Sequence, residues 1–154
     1  MSEEIEIWTD GGCQGNPGPG GWAFIMRSSG GEQARSGFDP HTTNNRMELT
    51  AVREALSSIP AGAQGESPSI AIHTDSQYVQ KGITTWIHTW KRNGWRTSGK
   101  QPVKNAELWT ALSELARERK IRWVWVMGHA GIEMNERCDA MVQDAIADGL
   151  KRGG

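Results

Sequence analysis

Residues 42–59, with the sequence TTNNRMELTAVREALSSI, contain the change of pattern that decides the fold. From Asn45 onward, apolar residues recur every four positions, as they do along one face of an α-helix. The members of this row are Met47, Ala51, Ala55 and Ile59. Thr42 or Thr43 can cap the start of the helix, and Pro60 cannot continue it. We therefore predict a helix from Asn45 to just before Pro60.

The residues before this helix have the alternating pattern of β-strands. Apolar residues from Ile5 to Ile7 alternate with polar ones and lead to the turn formers Asp10-Gly11-Gly12, which predicts a first strand. Trp22 to Met26 and Gln33 to Phe38 predict two more strands, joined by a hairpin-like turn at Ser28-Ser29-Gly30-Gly31. We therefore expect three antiparallel strands to open the chain.

After the helix, strand and helix patterns alternate. The β-branched run from Ser69 to Thr74 predicts a buried fourth strand, and Ile121 to Val126 predicts a fifth. A helical pattern begins near Ser76. Three further helical patterns span Thr84–Lys91, Asn105–Lys120 and Asn135–Leu150. This order predicts an α/β fold with a five-stranded mixed sheet flanked by helices. In such sheets, functional sites gather at strand ends.

The size and composition of the chain fit one compact domain. With 154 residues, of which 36% are hydrophobic, the chain is long enough to bury a core. We expect a single domain over residues 1–150 and a frayed tail at residues 151–154. The acidic start resembles no signal peptide, and no stretch approaches the roughly 20 apolar residues of a membrane span. We expect a cytoplasmic protein without membrane contact, with Cys13 and Cys138 as free thiols.

The net charge of −1 does not indicate a nucleic-acid binder, but the distribution of charge does. Residues 91–104, here called the basic segment, contain no Asp or Glu. Its cations are Lys91, Arg92, Arg96, Lys100 and Lys104. A solvated loop is the simpler interpretation of such a run. However, tryptophans bracket it, and aromatic faces among cations are typical of nucleic-acid binding. These are Trp86, Trp90, Trp95 and Trp109, although Trp86 and Trp90 also have the spacing of core residues on a helix.

Four carboxylates stand at informative places: Asp10 at a strand end, Glu48 in the first turn of a helix, Asp75 after a strand and Asp139 early in the last helix. Each has a local explanation as a turn residue, a helix cap or a partner of the helix dipole. If the first and fourth strands are neighbours, however, the four carboxylates converge. A cluster without thiolate or imidazole suits Mg²⁺ or Mn²⁺, and two such ions about 4 Å apart can hydrolyse a phosphodiester. Spacing alone leaves the convergence open.

Six ordered segments, which together cover nearly the whole chain, resemble bacterial members of the type 1 ribonuclease H family. They are Thr9-Asp10-Gly11, Asn16 to Trp22, Thr42 to Leu49, Thr74 to Val79, Gly128-His129-Ala130-Gly131 and Asn135 to Asp139. The resemblance implies the ribonuclease H-like five-stranded fold. It also implies an endonuclease that hydrolyses the RNA strand of RNA–DNA hybrids to 5′-phosphate and 3′-hydroxyl products.

The same resemblance assigns metal and catalytic residues. It implies that Asp10, Glu48, Asp75 and Asp139 bind two Mg²⁺ ions per active site, with Mn²⁺ as a possible substitute. His129 matches a histidine on a mobile loop that assists proton movement or product departure without binding metal. Without the resemblance, a lone loop histidine is usually just solvated.

The resemblance also assigns contacts to the hybrid. The basic segment resembles the basic protrusion with which bacterial members grip the DNA strand, so its cations become candidate phosphate contacts. Thr43 and Asn16 would belong to a pocket for a DNA phosphate, while Cys13, Asn44 and Gln77 would lie near the scissile region. Asn45 joins Asn16, Asn44 and Gln77 as neutral amides suited to groove edges and hydroxyls. Capping and turn formation are the alternative roles of these polar residues.

Two departures from the family pattern stand out. Met127 occupies a position where the bacterial pattern has a basic residue, which puts one phosphate contact in doubt, and the loop at 60–68 is longer than usual. We expect a monomer whose partner is the hybrid. Three alternatives remain: a related integrase-, transposase- or resolvase-like nuclease, a hybrid-binding module that no longer cuts, and an α/β domain with purely structural acids and tryptophans.

Overall fold

The computed structural model describes residues 4–59, 69–97, 99–101, 103–117, 119–126 and 133–153. Within these ranges, five strands form one sheet in the order β3-β2-β1-β4-β5. Their bounds are β1 Glu4–Cys13, β2 Gly18–Ser28, β3 Gly31–Thr42, β4 Ser69–Thr74 and β5 Lys120–Trp125. The first three strands pair antiparallel, whereas β4 pairs parallel with both β1 and β5. The predicted mixed sheet is confirmed.

The helices pack on both faces of this sheet. They are α1 Asn44–Ser57, α2 Gln77–Lys81, α3 Ile87–Arg92, α4 Ala106–Arg117 and α5 Glu133–Gly153. A π-helical segment, Gly82–Trp86, joins α2 to α3, so the two helical patterns predicted in this region form one continuous run. The predicted end of the last helix at Leu150 is wrong. Because α5 continues to Gly153, Lys151 and Arg152 are helical, and the expectation of a frayed tail from residue 151 is wrong for these residues.

Alternation along the strands divides the core between the two faces. Ile7 of β1 packs with Phe24, Ile70 and Ile72 in a cluster that also holds apolar residues of α1 and α4. The next residue, Trp8, points to the opposite face and packs with Ile25 and with two residues of α5, Met134 and Cys138. Each face therefore has its own apolar layer, as a sheet with helices on both sides requires.

The first three strands are longer than predicted. Asp10, Gly11 and Gly12 do not turn: they continue β1 and pair with Ala23, Trp22 and Gly21 of β2. The ladder needs only backbone groups, so a segment rich in turn formers can extend a strand when a neighbouring strand is available. The hairpin is confirmed, because β2 ends at Ser28 and β3 begins at Gly31. No helix in the described part of the chain has the length and apolarity needed to cross a membrane.

Candidate active site

The pairing of β1 with β4 brings two of the predicted carboxylates together. The strands run parallel, and their last paired positions are Trp8 and His73. Asp10 and Asp75 each follow two residues later, at the same edge of the sheet. One cavity, here called the acidic cavity, is lined by both of them together with Glu48 of α1 and Asp139 of α5. The predicted convergence of the four carboxylates is therefore observed.

The local explanations of these acids do not hold in the structure. Asp10 lies within a strand and forms no turn. Glu48 is the fifth residue of α1 and Asp139 the seventh of α5, so neither lies in the first turn, where the helix dipole acts most strongly. The predicted first-turn position of Glu48 is therefore wrong. The cap of α2 is Ser76, not Asp75, because its hydroxyl accepts the Val79 N–H at 3.1 Å.

The position of Glu48 depends on Gly11. An added Cβ at Gly11 would lie 2.4 Å from the carbonyl carbon of Met47 and 2.5 Å from the backbone nitrogen of Glu48. The backbone of α1 thus rests directly on β1, an approach that glycine permits and a side chain blocks. The sequence pattern indicated only a turn former here. The tertiary contact gives this glycine its function, since it places Glu48 beside Asp10.

The electrostatics of Glu48 are consistent with this crowding. Burial, which is the largest cause, and the negative charges of Asp75 and Asp10 together raise the pKa of Glu48 to about 8. A hydrogen bond from the Ser76 hydroxyl acts in the opposite direction. Ser76 is itself 5% exposed, so one buried hydroxyl both caps α2 and holds a carboxylate of the cavity. The sequence pattern did not single out this second role.

The chemistry of the cavity fits a hard cation. Its polar lining consists of carboxylates, the Ser76 hydroxyl and the amides of Gln77 and Gln143. Cys138 neighbours Asp139, but burial raises its pKa to about 12, so it remains a thiol and offers no thiolate. In the described ranges, no group of three or more His, Cys, Asp or Glu side chains is arranged to hold a metal ion by itself. Carboxylates that line one cavity without forming such a group suit Mg²⁺, which keeps several water ligands and is bound through one or two carboxylates.

The polar residues predicted to touch the hybrid form a cluster beside this cavity. The Cys13 N–H donates to Asn44 Oδ1 at 2.8 Å, and the Asn44 N–H donates to Asn16 Oδ1 at 3.1 Å. Thr43 caps α1 by accepting the Arg46 N–H at 3.2 Å, so its predicted capping role is confirmed. These bonds hold the start of α1 against the end of β1. The predicted contacts of these residues with the hybrid stay predictions.

Two further amides differ in their placement. Gln77 is exposed and lines the acidic cavity. Asn45, in the first turn of α1, is only partly exposed. Gln77 is therefore the better placed of the two for contact with a bound strand.

The tryptophans are mainly structural. Trp109 is fully buried, so the prediction that it contacts the hybrid is wrong; its indole N–H donates to Tyr78 Oη at 2.9 Å. Trp90 packs against Trp109, Trp86 and Trp95, with ring centroids 5.5, 5.7 and 6.4 Å apart. These rings pack against α4 through apolar contacts, and Trp86 and Trp90 remain partly exposed.

The basic segment extends from this aromatic base into solvent. Its five cations are all exposed: Lys91, Arg92, Arg96, Lys100 and Lys104. Trp95 has a left-handed φ of 63°, which is costly for a bulky residue. Backbone bonds to Trp90 and Val103 hold it there. Trp95 is therefore held in a specific conformation between α3 and Val103. His129, Met127 and the 60–68 loop lie outside the described residues.

Comparison with known proteins places the chain in a family. The RNase H family model matches residues 2–147. The chain belongs to the ribonuclease H family. A ribonuclease H of Aromatoleum aromaticum is 53% identical, with 100% of this chain and 97% of that protein covered. The predicted family and enzyme class are thus confirmed, and the purely structural α/β domain is excluded.

Solved structures agree with the fold. LC9-RNase H1, described as a type 1 RNase H with the type 2 active-site motif, is 31% identical with a TM-score of 0.82, over 96% of this chain and 74% of that chain. LC11-RNase H1, solved in complex with an RNA/DNA hybrid, is 25% identical with a TM-score of 0.71, over 95% of this chain and 99% of that one. The ribonuclease H-like architecture is confirmed.

Replacing Gly11 by alanine should displace Glu48. The new Cβ would overlap the backbone of α1, so we expect a loss of about 1–3 kcal/mol in unfolding free energy. We also expect weaker binding of Mn²⁺, measured by calorimetry without substrate. Gly12→Ala is the matched control, because the nearest atom to its added Cβ is 3.8 Å away. Equal stability and Mn²⁺ affinity in both variants would contradict the proposed role of Gly11.

Metal binding at pH 7 should release a proton from Glu48. Its pKa of about 8 means that the metal-free carboxyl is largely protonated at pH 7, whereas a ligating carboxylate is ionised. Affinity for Mg²⁺ should therefore increase as the pH rises towards 8. Without metal, the folded protein binds the Glu48 proton more tightly than the unfolded chain does. The free energy of unfolding of the metal-free protein should therefore fall as the pH rises from about 4.5 to about 8. Calorimetry in two buffers of different ionisation enthalpy measures the released proton, and Glu48→Gln should abolish it.

Proposed function

We propose that this ribonuclease H family member is an endonuclease that hydrolyses the RNA strand of RNA–DNA hybrids to 5′-phosphate and 3′-hydroxyl products. One observation carries the proposal: Asp10, Glu48, Asp75 and Asp139 line a single cavity in a chain that also presents an exposed cationic segment. A pure binding module gains nothing from carboxylates beside phosphates, because like charges repel. The activity resides in one catalytic domain over residues 1–150 of a monomer.

The four carboxylates would hold two Mg²⁺ ions, with Mn²⁺ as a possible substitute. When bound, such ions lower the pKa of water and neutralise charge on the phosphate under attack. The chain itself supplies the orientation of the ligands. Gly11 lets α1 approach β1, and the Ser76 hydroxyl holds the Glu48 carboxyl at the wall of the cavity. His129 would assist proton movement or product departure.

Contacts to the two strands divide between the cavity rim and the basic segment. Gln77, exposed at the rim, is suited to a 2′-hydroxyl or base edge of the RNA, as are Cys13 and Asn44 near the scissile bond. Asn16 and Thr43 would receive a DNA phosphate, with Asn45 near the groove. The five cations of the basic segment would contact further phosphates of the DNA strand. The partly exposed edges of Trp86 and Trp90 would support that strand.

The proposed function is tested with an end-labelled RNA–DNA hybrid beside matched duplex DNA and duplex RNA, each with Mg²⁺ and with a chelator. Cutting of the RNA strand of the hybrid alone, and only with Mg²⁺, supports the proposal. Binding without cutting would favour the inactive binding module. Cutting of duplex DNA would favour the integrase-like alternative.

Replacing Asp10 by asparagine should reduce cleavage at least about 100-fold, because a charged ligand at the reacting centre is lost. Affinity for the hybrid, measured by fluorescence anisotropy, should stay within about twofold or rise slightly, because repulsion of phosphates falls. Asp144→Asn removes the same charge from an exposed position of α5 and should cut normally. A D10N variant that cuts at the wild-type rate would refute the metal assignment.

Replacing Lys91, Arg92 and Arg96 by glutamine should weaken hybrid binding and flatten its salt dependence. Each lost phosphate contact reduces the slope of log affinity against log salt by roughly 0.9. The control replaces Arg117, Lys120 and Arg122, exposed cations at the end of α4 and the start of β5. Both triple variants lose the same three positive charges. An equal change in the slope of log affinity against log salt would show that only net charge matters, and would refute the proposed phosphate contacts of the basic segment.

A further inference from the structure

Five side chains form a polar and aromatic junction between the acidic cavity and the basic segment. The members are Arg46 of α1, Tyr78 of α2, Asn105 just before α4, and Glu107 and Trp109 of α4. Arg46 donates to Asn105 Oδ1 at 3.0 Å and to both carboxylate oxygens of Glu107 at 3.0 and 3.2 Å. The amide nitrogen of Asn105 donates to Tyr78 Oη at 3.1 Å. Trp109 donates to the same oxygen at 2.9 Å.

One end of this junction lies on the elements that carry the carboxylates. Arg46 is two residues before Glu48, on the part of α1 that rests on β1. Tyr78 is three residues after Asp75 and directly follows Gln77, which lines the acidic cavity. A shift of Arg46 or Tyr78 would therefore move side chains of the cavity.

The other end lies on the basic segment. Asn105 directly follows Lys104, and its φ of 61° is a left-handed conformation that its two amide hydrogen bonds hold in place. The ring of Trp109 packs against Trp90, whose backbone carbonyl accepts the Trp95 N–H at 2.7 Å. The segment is thus joined to the junction through its last residue and through its aromatic base.

The ion pair between Arg46 and Glu107 fixes the orientation of its two side chains more than it stabilises the fold. Arg46 is 35% and Glu107 66% exposed, and an ion pair this exposed contributes only about 0–1 kcal/mol. Its two parallel bonds nevertheless fix the orientation of both groups. The contact with Glu107 holds the pKa of Arg46 above its usual value. It also holds the pKa of Glu107 below its usual value. Variants that break the pair should therefore still fold.

We propose that the junction sets the distance between the gripped DNA strand and the carboxylates, and thereby determines which RNA phosphodiester is cut. Arg46, Asn105, Glu107 and Tyr78 are positioning residues in this proposal, which rests on the proposed function. Their role is to keep α1, α2 and the basic segment in one register. Loss of the ion pair leaves both the grip and the carboxylates in place but uncouples them.

The test uses a hybrid whose DNA strand carries neutral methylphosphonate linkages except over one short charged window. Contacts to charged DNA phosphates, by the basic segment and by Asn16 and Thr43, are then confined to that window, so the cut position relative to the window reports the distance in question. Wild-type protein should cut at one dominant phosphodiester under single-turnover conditions. Arg46→Gln and Glu107→Gln should both spread the cuts over neighbouring positions and slow cleavage by about tenfold, because small misplacements are costly.

The two variants separate positioning from simple charge effects. Arg46→Gln removes a positive charge and Glu107→Gln a negative one, so electrostatic effects on hybrid affinity have opposite signs. The double variant should resemble each single one, because all three break the same pair. Arg117→Gln and Glu114→Gln are matched controls, since these residues form an exposed ion pair at 3.0 Å within α4. Both controls should keep the wild-type cut position.

Two results would overturn the proposal in distinguishable ways. If both variants cut at the wild-type position, and Arg46→Gln merely loses affinity in a salt-dependent manner, Arg46 is an ordinary phosphate contact and the junction has no positioning role. If wild-type protein does not cut the hybrid with Mg²⁺, the proposed function itself fails. Spread cuts in both variants, with sharp cuts in both α4 controls, support the junction.

Discussion

The direct contact between the backbone of α1 and β1 at Gly11 is the constraint on which the site depends. Four carboxylates repel one another, so local preferences alone would spread them apart. Here the fold brings them together, because Leu49, Val52 and Leu56 of α1 are fully buried in the core cluster that lies against the sheet. Each such side chain contributes about 1.5–3 kcal/mol on burial. Apolar packing therefore offsets the repulsion, and glycine provides the space that the packing requires.

The antiparallel and parallel parts of the sheet have different roles. The antiparallel strands β1, β2 and β3 form a long platform whose glycines tolerate close neighbours, while the parallel pairing of β1 with β4 aligns the two strand ends that carry aspartates. Glu48 and Asp139 reach the same edge from α1 and α5. Because each carboxylate comes from a different element, the site exists only when all four elements are packed.

The aromatic cluster gives the tryptophans a different role from the one that their spacing among cations indicated. Trp109 is wholly inside, and Trp90 lies between it and Trp95. The rings thus form the base on which the exposed cations stand. The cations of the basic segment are available to attract phosphate, whereas the tryptophans provide the apolar packing. The cations can therefore be replaced without loss of the aromatic cluster.

Several features followed from the sequence alone. Periodicity identified the five strands and the main helices. Because capping is a local interaction, the sequence also offered Thr42 or Thr43 as the cap of α1, and the structure shows that Thr43 is the cap. The choice of carboxylates without thiolate or imidazole indicated a hard cation, since donor chemistry belongs to the residues themselves. The order of the motifs indicated the ribonuclease H family, to which the chain belongs.

Tertiary structure decided the rest. Periodicity shows which face of an element is apolar, but not which partner covers it, so the burial of Trp109 and the extension of β1 through Gly11 were not predictable locally. Asp10 and Asp75 meet because β1 and β4 pair side by side although they are far apart in the chain. Ser76 acquires its second hydrogen bond, and Arg46 its partners, only when distant helices pack. Side-chain contacts of this kind join residues that are far apart in the chain, so a local sequence pattern cannot predict them.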